Sequence, residues 1–159
     1  MFQNRIYSFT IGFSVFLFAV FATLWFYFCN RFNVLYNHEQ LQLFRFDLLY
    51  FYSYLIQPGG LCGYFGSFLT QFYYYPVVGS MIIAGVIIAV ILLFYDICQS
   101  CGNISRLFFI PFIPAVLLMM SFVNILFDMS SALGVLFALA GFRAYIAFSS
   151  SVRNYAGFI

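Results

Sequence analysis

The chain has 159 residues, of which 65% are hydrophobic and 6% charged, and its mean hydropathy is +1.03. Soluble domains carry roughly 25% charged residues, so this composition leaves too little polar surface to cover a water-soluble fold. The net charge of +2 comes from scattered arginines without a basic cluster. That argues against nucleic acid as a partner, because phosphate binding needs concentrated positive charge.

In chain order, a short polar head precedes the first apolar run, residues 6–29. This stretch is long enough to cross a hydrocarbon core at about 1.5 Å per residue. It ends in Trp25-Phe26-Tyr27-Phe28, bulky interfacial residues rather than a small-residue cleavage site, so it reads as a retained first span and not a signal peptide.

Residues 30–76 form an outward loop, and they hold the sole histidine and the sole glutamate of the chain. From His38 to Ile56, the apolar residues Leu41, Phe44, Leu48, Phe51 and Leu55 make a helical stripe. Pro58-Gly59-Gly60 breaks that helix. A second amphipathic segment follows, with Leu61, Phe65, Phe68, Leu69 and Phe72 on one face and Gly63, Ser67, Thr70 and Gln71 on the other. Both segments are expected to lie in the membrane interface with their apolar sides in the acyl boundary. Tyr73-Tyr74-Tyr75 reads as an aromatic anchor, and Pro76 suits the first turn of the next helix.

The second span covers residues 77–95 and is bounded by Asp96. Its Ser80/Ala84 and Gly85/Ala89 pairs have the small-xxx-small spacing that lets a neighbouring backbone approach. The third span covers 107–127, with Pro111 and Pro114 predicting a kinked or irregular first half. Asn124 is expected to hydrogen-bond a neighbouring helix. The fourth span covers 132–149 and offers Gly134/Ala138 and Ala140/Ala144 as a close-packing face. The predicted architecture is therefore all-α: one transmembrane domain over residues 1–159, with four transmembrane helices and two interfacial amphipathic helices between the first and second. An even number of spans puts both termini on one side. Arg5, Arg106 and Arg153 fall on that side with Arg143 near it, against Arg31 and Arg45 on the other, so a mild positive-inside bias predicts a multi-pass protein of the cell inner membrane with cytoplasmic termini.

Glu39 and Asp47, with His38 and Arg45, are the leading candidates for chemistry. A carboxylate beside the membrane can serve as general base, or hold a divalent ion that bridges a lipid-linked phosphate. The same residues also fit a solvated face of an interfacial helix, with Arg45 and Asp47 as a weak surface pair. No cofactor is expected apart from such a divalent ion. His38 has no second histidine or spaced cysteines to complete a metal site. Cys98 and Cys101 have redox spacing, but they are placed on the reducing cytoplasmic side. Arg143 reads as a snorkelling residue near a span end, and Asp96 and Asp128 read as boundary markers.

His38-Glu39-Gln40, Gln57-Pro58-Gly59-Gly60 and the run from Phe68 to Pro76 together resemble an uncharacterised family of bacterial polytopic membrane proteins of the Bacteroidales type, a domain of unknown function. Members look longer, so the resemblance implies that this chain matches the N-terminal part of one. More loosely, a first span followed by a long outer loop with an acidic residue and interfacial helices looks like the start of the polyprenyl-phosphate-sugar-dependent integral membrane glycosyltransferases. That analogy implies Glu39 first and Asp47 second as base or metal ligand, and Arg45 or His38 as phosphate partner. The paired Asp-x-Asp of such loops is absent here. The analogy also implies membrane lipid and a polyprenyl-phosphate-linked donor as partners. A non-catalytic scaffold or assembly subunit, packing its small-residue faces against further membrane helices, is the competing reading.

Overall fold

The computed structural model describes residues 2–29, 44–101, 109–124 and 126–156. Among these residues the secondary structure is entirely helical. Helix α1 is Phe2–Phe28, α2 is Leu48–Leu55, α3 is Gly60–Thr70, α4 is Pro76–Cys101, α5 is Phe112–Phe122 and α6 is Met129–Ala156, with a 3₁₀ turn Gln71–Tyr74 between α3 and α4.

Helix α4 is the centre of the molecule and packs against α1, α5 and α6. Its Ile83, Ile87, Val90 and Ile91 meet Val15 and Phe26 of α1, Ala115, Leu118, Met119 and Phe122 of α5, and Met129, Ala132 and Leu133 of α6 in one core. Ser80 and Ala84 are buried, as their small size allows, whereas Gly85 has open space where a Cβ would go. Only the first of the two small-residue pairs on this helix is used for close packing.

Ring contacts fix the helix directions. Phe18 meets Phe112 at 5.6 Å and Phe26 meets Phe122 at 6.1 Å between centroids, so α1 and α5 run the same way. Tyr73, just before α4, touches Met129, while Asp96 farther along α4 pairs with Arg143 of α6, so α4 and α6 also run together. Phe127 folds back to 5.2 Å from Phe122 and both α5 and α6 pack on α4, so the short connection from Phe122 to Met129 reverses the chain between them. The start of α1 and the end of α6 therefore lie at the same end of the bundle, and the α2–α3 hairpin lies at the other.

Several boundaries differ from the sequence expectation. Helix α5 has 11 residues where 107–127 was expected to be helical. Pro111 sits at its N-cap and Pro114 in its first turn, where a missing N–H breaks no intrahelical bond. The prolines thus start the helix rather than kink it, and the turn at 109–111 is the irregular form of the expected first half. At its far end, Asn124 turns the chain locally, its Oδ1 accepting a hydrogen bond from Leu126 N at 3.1 Å, rather than reaching a neighbouring helix. Helix α4 continues past residue 95 to Cys101, which places Asp96 inside the helix instead of at its boundary.

Two helical segments, Pro76–Ser100 and Met129–Ser149, are long and apolar enough to cross a membrane, and 44% and 11% of the residues in their most apolar windows are buried. Outward from the bundle stand Phe13, Phe16, Leu17 and Phe21 of α1, Met81 and Leu92 of α4, Leu117 and Met120 of α5, and Phe137, Phe142 and Phe148 of α6. Soluble monomers rarely expose contiguous apolar surface on this scale.

Candidate functional site

The hairpin at the loop end is built from its turn outward. Gly59 has φ +76°, a left-handed conformation open to glycine at little steric cost. At Gly60 a Cβ would stand 1.7 Å from the Tyr54 carbonyl oxygen, so the chain passes too close for any side chain. The Pro58-Gly59-Gly60 break is thus a true hinge. Asp47 adopts extended backbone angles, φ −129° and ψ 138°, and its Oδ1 accepts a hydrogen bond from Leu49 N at 3.3 Å. It is the N-cap of α2. The helix accordingly starts at Leu48, and residues 44–47 are not part of the longer helix expected from His38 onward.

Helices α2 and α3 are joined by hydroxyls. Tyr50 and Tyr54 hydroxyls lie 3.0 Å apart, and the Tyr54 hydroxyl is 3.1 Å from Ser67 Oγ. Burial, with the hydrogen bond to Tyr54 second, raises the Tyr50 pKa above its ordinary value. Around this line Phe44 packs edge-on against Phe46, Tyr50, Tyr64 and Phe68. On α3 the small face is the buried one: Gly66, Ser67 and Thr70 are buried while Leu61 and Phe65 are exposed. The reason is contact with α6, because a Cβ at Gly66 would come within 2.7 Å of Ser130 N. The aromatic triplet divides. Tyr74 and Tyr75 are exposed, whereas Tyr73 is buried and donates its hydroxyl to Met129 Sδ at 3.6 Å.

His38 and Glu39 lie outside the described residues. Arg45 and Asp47 are both exposed on the segment entering α2. They do not pair with each other, and the Asp47 carboxylate caps α2 instead. Among the described residues no three His, Cys, Asp or Glu side chains come together to hold a metal ion. Asp47 by itself supplies too few ligands for a protein-built metal site.

The feature that sequence reasoning missed lies at the opposite end. Arg143 Nε of α6 donates to Asp96 Oδ2 of α4, an ion pair with side-chain exposures of 31% and 50% in the isolated chain. The snorkelling arginine and the boundary aspartate are thus one feature. The signal was two opposite charges inside otherwise uncharged helical stretches, 76–101 and 129–149; their pairing depended on the relative register of two helices that are not adjacent in sequence.

Among the described residues the geometry is all-helical, with two helices long and apolar enough to cross a membrane, exposed apolar flanks and a capped aromatic hairpin at one end. The chain belongs to a family of unknown function (DUF6057), whose model matches residues 6–159. No curated protein and no solved structure matches it.

Proposed function

We propose that this chain is an integral, multi-pass domain of the inner membrane, with α1, α4, α5 and α6 as its four crossings, cytoplasmic termini and the α2–α3 hairpin on the outer face. One observation carries this reading: the helices, whose contacts make them alternate in direction, turn Phe, Leu and Met outward along stretches free of charge. Helix α5, at 11 residues, spans only about 16 Å at 1.5 Å per residue. One face of it packs on the core through Ala115, Leu118, Met119 and Phe122, and in this reading the residues on either side of the helix complete the crossing. Engineered cysteines test the topology. Position 52 on the hairpin should react with an impermeant thiol reagent in intact cells, and position 99 only after permeabilisation; the reverse pattern refutes it.

At the outer face, the hairpin is suited to a lipid-linked substrate, and the biochemical role we propose is transfer of a sugar or other head group from a polyprenyl-phosphate carrier. Support comes from the exposed apolar residues Phe46, Leu48, Leu49 and Ile56 beside the exposed charged residues Arg45 and Asp47. Glu39 is the proposed base or metal ligand, Asp47 the second choice, and Arg45 with His38 the phosphate partners. The scaffold reading is favoured by a different observation: Asp47 already has a structural task as a cap, and Gly134 and Gly141 on α6 have open space around them for a further helix. Turnover of a radiolabelled polyprenyl-phosphate sugar by membranes containing the chain separates the two. Transfer activity lost in Glu39→Gln, with membrane abundance unchanged, supports the enzyme. Absence of turnover, or equal turnover in Glu39→Gln and Asp47→Asn, refutes it and leaves the scaffold.

A further inference from the structure

Along α6 the apolar packing fades with distance from the hairpin end. Met129, Ala132 and Leu133 are buried, and Leu136 and Leu139 pack against the core. From Gly141 to Ser149 no side chain is buried, and Phe142, Tyr145 and Phe148 stand exposed. Helix α4 still reaches this level, with Ile97 buried close to its end. Where hydrophobic contact between the two helices runs out, the Arg143–Asp96 ion pair takes over. No other charged side chain occurs among residues 129–149 of α6 or 76–101 of α4.

We propose that the Asp96–Arg143 pair is a polar latch that holds the far half of α6 against α4. In the membrane proposed above, lipid would flank this half-exposed pair, and an unmatched charge there is costly, so each partner is held because the other neutralises it. The latch acts through charge complementarity, and either orientation of the two charges should close it. With one partner neutralised, the remaining charge has no mate among residues 76–101 of α4 or 129–149 of α6, and it is drawn toward water. Residues 141–149, which have little apolar anchorage of their own, then swing away while the end at Tyr73 and Met129 stays closed. The latch is independent of the proposed transfer chemistry, which is placed at the other end of the bundle.

Spin labels on genetically encoded keto amino acids, which leave the native cysteines in place, can read this in detergent-solubilised full-length chain. One pair, at Leu92 and Phe148, spans the latch; a second, at Val78 and Val135, spans the hairpin end. In the parent both pairs should give a single narrow distance. Asp96→Asn and Arg143→Gln should each lose the narrow distance at the latch pair while keeping it at the hairpin pair. The double exchange Asp96→Arg with Arg143→Asp should restore it. Unchanged latch distances in both single variants overturn the proposal, and so does a double exchange that remains open. Should the single variants fail to accumulate, recovery of accumulation in the double exchange supports the latch, and failure of the double exchange overturns it.

Discussion

Replacing Gly66 by alanine tests whether the hairpin is locked to the bundle through backbone contact. The added Cβ would lie 2.7 Å from Ser130 N, 2.8 Å from its Cα and 3.0 Å from its Cβ, whereas ordinary contact begins at 3.4 Å. The first two are backbone atoms of α6, so no side-chain rotation relieves them. The helices must separate by about 0.7 Å, the difference between 3.4 Å and 2.7 Å. A gap of roughly 0.5–1 Å forfeits about a quarter to a half of each remaining contact's attraction, and Ser67 and Thr70 share that interface. Overpacking of this kind costs about 1–3 kcal/mol. For a chain of this size that is a Tm lower by about 2–12 °C, measurable as loss of the monodisperse peak after heating in detergent. Gly85→Ala is the control: nothing lies within 4 Å of its added Cβ, and alanine favours a helix interior over glycine by about 0.5–1 kcal/mol. A Gly66→Ala variant as stable as the parent, or a Gly85→Ala variant equally damaged, would refute the argument.

Three further outcomes are expected. Asp47→Ala should destabilise the hairpin by about 1 kcal/mol through loss of the α2 cap, while Asp47→Asn, which can still accept from Leu49 N, should cost only tenths; hydrogen exchange at Leu49 to Phe51 reads the difference. Tyr73 is held protonated by burial, its pKa pushed well above the ordinary value of 10.0. The unfolded chain therefore releases this proton first, and the contribution to stability, full below about pH 10, is lost as pH rises beyond it. Tyr73→Phe should flatten the alkaline fall in stability, seen in denaturation midpoints from pH 9 upward as a slope reduced by up to about 1.4 kcal/mol per pH unit. Phe122→Ala removes a fully buried ring that packs on Phe26 and Phe127, and should lower stability by about 3–5 kcal/mol, with partial rescue by Leu at the same position.

What the sequence determined by itself is mostly local. Charge-free apolar runs set where the long helices lie, because a helix period and a length do not depend on neighbours. The Pro58-Gly59-Gly60 hinge and the helix start at Pro76 were likewise legible, since backbone restrictions act on the residue that carries them. The start of α2 was misplaced because a periodic stripe outweighed Asp47, whose capping role is visible only once its carboxylate meets Leu49 N. Tertiary structure alone decided which face of α3 is buried. Size mattered more than polarity there, as Gly66, Ser67 and Thr70 let two backbones approach where Phe and Leu would hold them apart. It also decided that Asp96 and Arg143 are partners. Their separation along the chain carries no periodic signal, and only the parallel packing of α4 and α6 brings the two charges to one level of the bundle.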